Sequence, residues 1–412
     1  MRGKSTNSSR KSGMTTANNG VEASGVSQVP LLDIGRGNAP LKEEFMAAFE
    51  AVLDSGRFLF GPDVFQLEET CAAASHAKFG IGCASGSDAL LLSLMALDIG
   101  PGDEVLVPSF TFFATASCVW RLGAKPVFVD IEPTSFNIDP TRLQEQITPN
   151  TKAIIPVHLF GQCADMTEIN KIAQMHGIPV IEDAAQAILA EHKGQRAGSM
   201  SLAGCISFYP TKNLGGMGDG GMLVTNDEEF AAKLKLLRGH GMEPRYYHQV
   251  VGINSRLDTL QAAALNVKMK HMAEWTELRR QNAMRYHELF NQCGLDLVLK
   301  LPTETEGNYH VWNQYTVRVP RGGRDSLRKH LADLKVGSEI YYPVPLHQQQ
   351  CFAAMKEELA PLPETEKAAE EVMALPIFPE LTAAEQRHVV SSIAMYYGIE
   401  ANFEGKARRK SA

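Results

Sequence analysis

Short, uninterrupted apolar runs alternate with segments of helical spacing through the first half of this chain, and that alternation leaves few folds open. "FGIGCA" (Phe79–Ala84), "DEVLVPS" (Asp103–Ser109), "KPVFVDI" (Lys125–Ile131), "AIIPVHLFG" (Ala153–Gly161) and "IPVIEDAA" (Ile178–Ala185) read as strands. "PLKEEFMAAFEAVLDSG" (Pro40–Gly56), "SDALLLSLMALDIG" (Ser87–Gly100) and "MTEINKIAQMHG" (Met166–Gly177) have the spacing of helices. Strands apolar at every position are buried on both faces, so the pattern predicts an α/β domain with a mostly parallel sheet covered by helices. "GCISFYP" (Gly204–Pro210) and "GGMLVTND" (Gly220–Asp227) add two strands, and a long helical region with a break inside it follows from Leu257 to about Cys293.

At 412 residues the chain exceeds what a single hydrophobic core covers, which calls for a second, smaller domain. After Leu301 the texture changes: "NQYTVRVP" (Asn313–Pro320) and "SEIYYPVP" (Ser338–Pro345) read as strands among three helical segments. The expected division is a tail over 1–28, a large α/β domain over 29–270, a small C-terminal α+β domain over 271–400 and a basic tail over 401–412. The first 28 residues are rich in Ser, Asn, Gly and Thr, lack the apolar stretch of a signal peptide and read as a disordered tail.

A formal net charge of −7 gives no overall basic field, which argues against nucleic acid as the main partner. No apolar run reaches the ~18 residues of a membrane span. Seven scattered cysteines, never spaced CxxC, form neither a disulfide framework nor a zinc pattern and fit a reducing, cytoplasmic setting.

In an open parallel sheet, ligands bind beyond the carboxyl ends of the strands. Three polar features fall there. "ASGSDAL" (Ala84–Leu90) sits between strand and helix, so the amides of Gly86 and Ser87 open a helix N-terminus, either as a plain cap or as an anion site suited to phosphate. Asp183 ends "IPVIED", with Gln186 three residues on, and Lys212 follows one strand later in "SFYPTKNLGG" (Ser207–Gly216). A phosphate cradle, a carboxylate and a lysine at neighbouring strand ends suit pyridoxal phosphate: the lysine forms the Schiff base, and the acid faces the ring nitrogen.

"EDAAQA" (Glu182–Ala187), "SFYPTKNLGGMGDGG" (Ser207–Gly221) and "GINSRLDTLQAA" (Gly252–Ala263) together resemble the DegT/DnrJ/EryC1/StrS family, pyridoxal-phosphate-dependent sugar aminotransferases of fold type I. The similarity runs from about Val29 to Gly398. It implies that Lys212 is the catalytic lysine, that Ser207 and Ser87 contact the phosphate, that Asp183 pairs with the pyridine nitrogen and that Gln186 lies beside the ring hydroxyl. It implies Phe112, in "PSFTFFATA", as the aromatic that covers the ring. Asn254 and Arg256 would reach into the site of a partner subunit, making a homodimer with shared sites, and Arg256 is the candidate for holding the donor carboxylate. His347, in "YYPVPLHQQ", is a candidate for substrate contact or for a core role, and Asp219 reads as structural.

The activity implied is transfer of an amino group from glutamate to a nucleotide-linked keto sugar, a 3-keto hexose or hexuronate, with a 4-keto sugar as the alternative. A non-catalytic regulatory protein on the same fold is a further alternative. Deoxygenating members of the family carry histidine where this chain has Lys212, which sets that chemistry aside.

Overall fold

The computed structural model describes residues 26–358 and 361–403, so the expected tails fall almost entirely outside it. Among the described residues, nine strands of three or more residues frame two layers. In chain order they are β1 Phe79–Cys83, β2 Glu104–Pro108, β3 Lys125–Val129, β4 Thr151–Ile154, β5 Ile181–Asp183, β6 Ala203–Ser207, β7 Gly221–Thr225, β8 Tyr315–Arg318 and β9 Val372–Leu375.

The first seven make one sheet. β1, β7, β6 and β5 are laddered in that order, β4, β2 and β3 continue it, and parallel bridges Ile154↔Val180 and Val157↔Asp183 join the two runs. Every pairing is parallel except those of β7, which runs against both its neighbours. The predicted mostly parallel sheet is present. Register matters at one place: Gly221 pairs with both Ser207 and Cys83, so the ends of β6 and β1 lie at the same level.

Helices cover both faces. Gly86–Ala96, here α1, buries Leu90, Leu91, Leu92 and Leu94 on all sides, which is why it carries almost no polar residues after its first turn. The helix after β2, Ala114–Arg121 (α2), packs against α1. The long helical region divides at Lys270–His271 into Thr259–Met269 (α3) and Met272–Cys293 (α4).

A second core gathers Tyr286, Phe290, Tyr315, Leu327 and Ile393 around the antiparallel pair β8–β9. Val29 belongs to this core: it bridges Val336 in parallel, with Val29 N–H donating to the Lys335 carbonyl at 3.0 Å and Gly337 N–H donating to that of Val29 at 2.8 Å.

Two expected strands differ. "SEIYYPVP" forms no ladder beyond one bridge, Glu339↔Ala374, because Pro343 and Pro345 have no N–H to donate. "AIIPVHLFG" is a strand only to Ile154, then bridges once at Val157 and turns at Leu159–Gly161. Among the described residues, no helix is long and apolar enough to cross a membrane, and no cluster suits a metal ion.

Candidate active site

The carboxyl ends of β1, β2, β5 and β6 open onto one cavity of about 730 Å³. At one end, Ser85 caps α1, its hydroxyl accepting from the Asp88 N–H at 3.1 Å. Gly86 comes so close to β6 that a Cβ built on it would stand 2.6 Å from Cβ of Ser207. Only glycine allows this approach, and it sets the first amides of α1 beside the Ser207 hydroxyl, an arrangement that suits an anion.

Asp183 and Lys212 line the middle of the cavity. Asp183 is buried, and its carboxylate accepts from the Thr115 hydroxyl at 2.9 Å and from the Ala185 N–H at 3.2 Å. Burial pushes its pKa up, opposed by Thr115, Ala185, Lys212 and His158. Lys212 is pushed down to about 8 by desolvation, with Asp183 pulling the other way. Its turn is pinned from behind. Asn213 donates to the Val311 carbonyl at 3.1 Å and accepts from Asn313 at 2.9 Å, while the Lys268 ammonium donates to the Gly215 carbonyl at 2.7 Å.

Phe112, more than half exposed, forms part of the wall with its ring centroid 6.3 Å from that of Tyr342. Gln186 accepts from the Phe160 N–H at 2.6 Å and donates to the Tyr342 hydroxyl at 3.4 Å.

The structure therefore brings together Gly86, Ser87, Phe112, Asp183, Gln186, Ser207 and Lys212. Asn254 and Arg256 lie apart, in an adjoining cavity of about 450 Å³ that shares Ser85 and Asp219 with the first. Between them, Ser255 accepts from the Ala84 N–H at 3.1 Å and donates to the Asp88 carboxylate at 2.7 Å, which ties this loop to the start of α1.

His347 does not line the cavity. It is buried, its Nδ1 is 2.7 Å from the Ser109 hydroxyl and its Nε2 is 3.3 Å from Glu366, so its ring is engaged on both sides within the chain. His158 likewise sits in the core, 2.9 Å from Glu182.

Sequence reasoning missed Thr115, Tyr342 and Gln314. Thr115 sits in the "PSFTFFATA" stretch, but nothing in a sequence marks a threonine as the partner of a carboxylate 68 positions away. Tyr342 follows Tyr341 in "EIYYPVP", a stretch read as a strand, which hid its place on the cavity wall.

These residues fit pyridoxal phosphate. The glycine-dependent cradle takes a phosphate, Asp183 supplies a buried carboxylate, and Lys212 supplies an amine for which no hydrogen bond is found among the described residues.

Known proteins resemble this chain over most of its length. A "Pleiotropic regulatory protein" of Geobacillus stearothermophilus is 51% identical over 90% of this chain and 98% of its own length. A UDP-N-acetyl-3-dehydro-alpha-D-glucosamine 3-aminotransferase of Acidithiobacillus ferrooxidans is 45% identical over 89% of this chain and 97% of its own. The crystal structure of ntda from Bacillus subtilis with bound cofactor PMP superposes with a TM-score of 0.83 at 33% identity, covering 90% of this chain and 85% of that one. The model of the DegT/DnrJ/EryC1/StrS aminotransferase family matches residues 40–394, and the chain belongs to that family.

Proposed function

We propose that this aminotransferase uses pyridoxal phosphate to move an amino group from glutamate to the 3-keto group of a nucleotide-linked sugar. The observation that carries the reading is the placement of Asp183 and Lys212 at neighbouring strand ends in the cavity whose other end is the Gly86–Ser207 cradle. The 3-position is supported by the Acidithiobacillus relative, whose name specifies a 3-dehydro sugar.

Bound here, the cofactor supplies an electron sink for charge developing at the carbon that bears the amino group. The chain's own residues do the rest. The amides of Gly86 and Ser87 and the Ser207 hydroxyl hold the phosphate. Asp183, kept in place by Thr115, would hold a proton on the ring nitrogen. The Lys212 amine, with a pKa near 8, can both take the α-proton and give it back close to neutral pH. Gln186 spends its oxygen on Phe160 and one amide hydrogen on Tyr342, so the other amide hydrogen would remain for the ring. Asn254 and Arg256 serve the site of a second copy of the chain, where the Arg256 guanidinium binds the glutamate carboxylate.

The name of the Geobacillus relative favours a second, regulatory reading. One experiment separates the two. The protein loaded with pyridoxal phosphate is mixed with glutamate, and release of 2-oxoglutarate is followed with UDP- and dTDP-linked 3-keto and 4-keto sugars. Turnover with a 3-keto sugar supports the proposal. Turnover confined to 4-keto sugars removes the 3-position, and no 2-oxoglutarate with any of them leaves the regulatory reading.

A further inference from the structure

Ten buried side-chain polar atoms have no hydrogen-bond partner among the described residues, and Gln314 Oε1 is the one that belongs to a residue lining the active-site cavity. Gln314 immediately precedes β8, and its backbone N–H is tied to the Phe160 carbonyl at 3.3 Å. The N–H of the same Phe160 is bonded to Gln186. The two glutamines thus flank one residue, yet they differ. Gln186 is engaged at both ends of its carboxamide, whereas no hydrogen bond to a described residue is found for either end of Gln314.

A buried carboxamide oxygen without a partner is costly, and a ligand can supply the missing bond. Gln314 shares the cavity wall with Glu339, Ile340, Tyr341 and Tyr342, all from the C-terminal part of the chain, while the phosphate cradle is built from Gly86, Ser87 and Ser207. The group it meets is therefore on the substrate.

We propose that Gln314 is a specificity-determining residue whose carboxamide hydrogen-bonds a neutral hydroxyl of the sugar. A hydroxyl both donates and accepts, so it satisfies a carboxamide in either orientation; a carboxylate only accepts. Charge points the same way. Among the described residues lining the cavity, Lys212 is the one cation, and Glu339 is already held by Arg328 at 2.8 Å. A hexuronate carboxylate would find no second cation on this chain's own wall, which favours a neutral hydroxyl opposite Gln314.

This inference rests on the sugar-aminotransferase reading, and the test keeps the two apart. The probes are a UDP-linked 2-acetamido-3-amino glucose and its uronate counterpart, each run in reverse with 2-oxoglutarate as the amino acceptor. The glutamate half-reaction is followed separately through the cofactor's absorbance. Wild type should prefer the neutral sugar. Gln314→Met should lower kcat/KM for that sugar by roughly tenfold or more and leave the glutamate half-reaction within about twofold of wild type.

Unchanged kcat/KM for the sugar in Gln314→Met overturns the inference, as does an equal loss in both half-reactions or a wild-type preference for the uronate. Should Gln314→Met fail to load cofactor, Gln314→Leu, which likewise has no hydrogen-bonding group, gives the same readout under the same criteria. A wild type inert toward both sugars overturns the functional reading and this inference together, whereas an active wild type matched by its variants overturns this inference alone.

Discussion

Thr115 donates its hydroxyl to the carboxylate of Asp183 across 2.9 Å, reaching from the helix after β2 to the end of β5. Burial favours the protonated form of Asp183, and this bond opposes it. Thr115→Val should therefore raise the Asp183 pKa further. With the ionised carboxylate as the proposed working form, the acid limb of kcat/KM should move to higher pH, with the loss largest at low pH and fading above it. Asp183→Ala should cost more, on the order of a hundredfold at saturating cofactor, and more than Gln186→Ala. Turnover of Asp183→Ala equal to wild type would remove Asp183 from the mechanism.

Lys212, with its pKa near 8, predicts how the cofactor-free protein captures pyridoxal phosphate. The neutral amine is the nucleophile, so the capture rate should rise with pH and level off above about 8, not near the 10.5 of an ordinary lysine. Asp183→Asn removes the charge that favours the ammonium and should move the midpoint lower. Borohydride reduction and peptide mapping should place the label on Lys212, and a stable label on another lysine refutes the assignment.

Gly86→Ala tests the cradle. The added methyl meets Ser207 at 2.6 Å, so α1 and β6 must part. Overpacking of this kind costs about 1–3 kcal/mol, and the cofactor Kd should rise by tenfold or more. An unaltered Kd for pyridoxal phosphate would show that the phosphate sits elsewhere.

Shared sites predict complementation. Lys212→Ala and the double variant Asn254→Ala with Arg256→Ala should each be inactive, but a mixed dimer would hold one site with both lesions and one with none. Random exchange makes about half the dimers mixed, so roughly a quarter of wild-type activity should return. Silence after exchange has been verified by mass spectrometry rejects shared sites.

The parallel sheet and the residues at its strand ends were legible because each strand is a continuous apolar run closed by a polar residue, as at Asp183 and Ser207. The reversed direction of β7 was not, since an apolar run such as Met222–Val224 reads the same either way. β9, "VMAL", went unseen because it follows without a break on the helical pattern of residues 363–371. His347 was visible as a candidate, but its engagement with Ser109, 238 positions away, is a tertiary fact. The motifs mark the groups proposed to carry chemistry; the groups that hold them, Thr115 and Lys268, have no local signature.

The bridge between Val29 and Val336 bears on how the chain is made. Val29 finds its partner 307 positions later, so it cannot be paired while the ribosome is still building the large sheet. At about 5–20 residues per second, Val29 waits roughly 15–60 s for Val336 to be synthesised. Through that interval the sheet can assemble while Val29 is still unpaired, and the second core closes only once β9 and Ile393, made later still, have joined it.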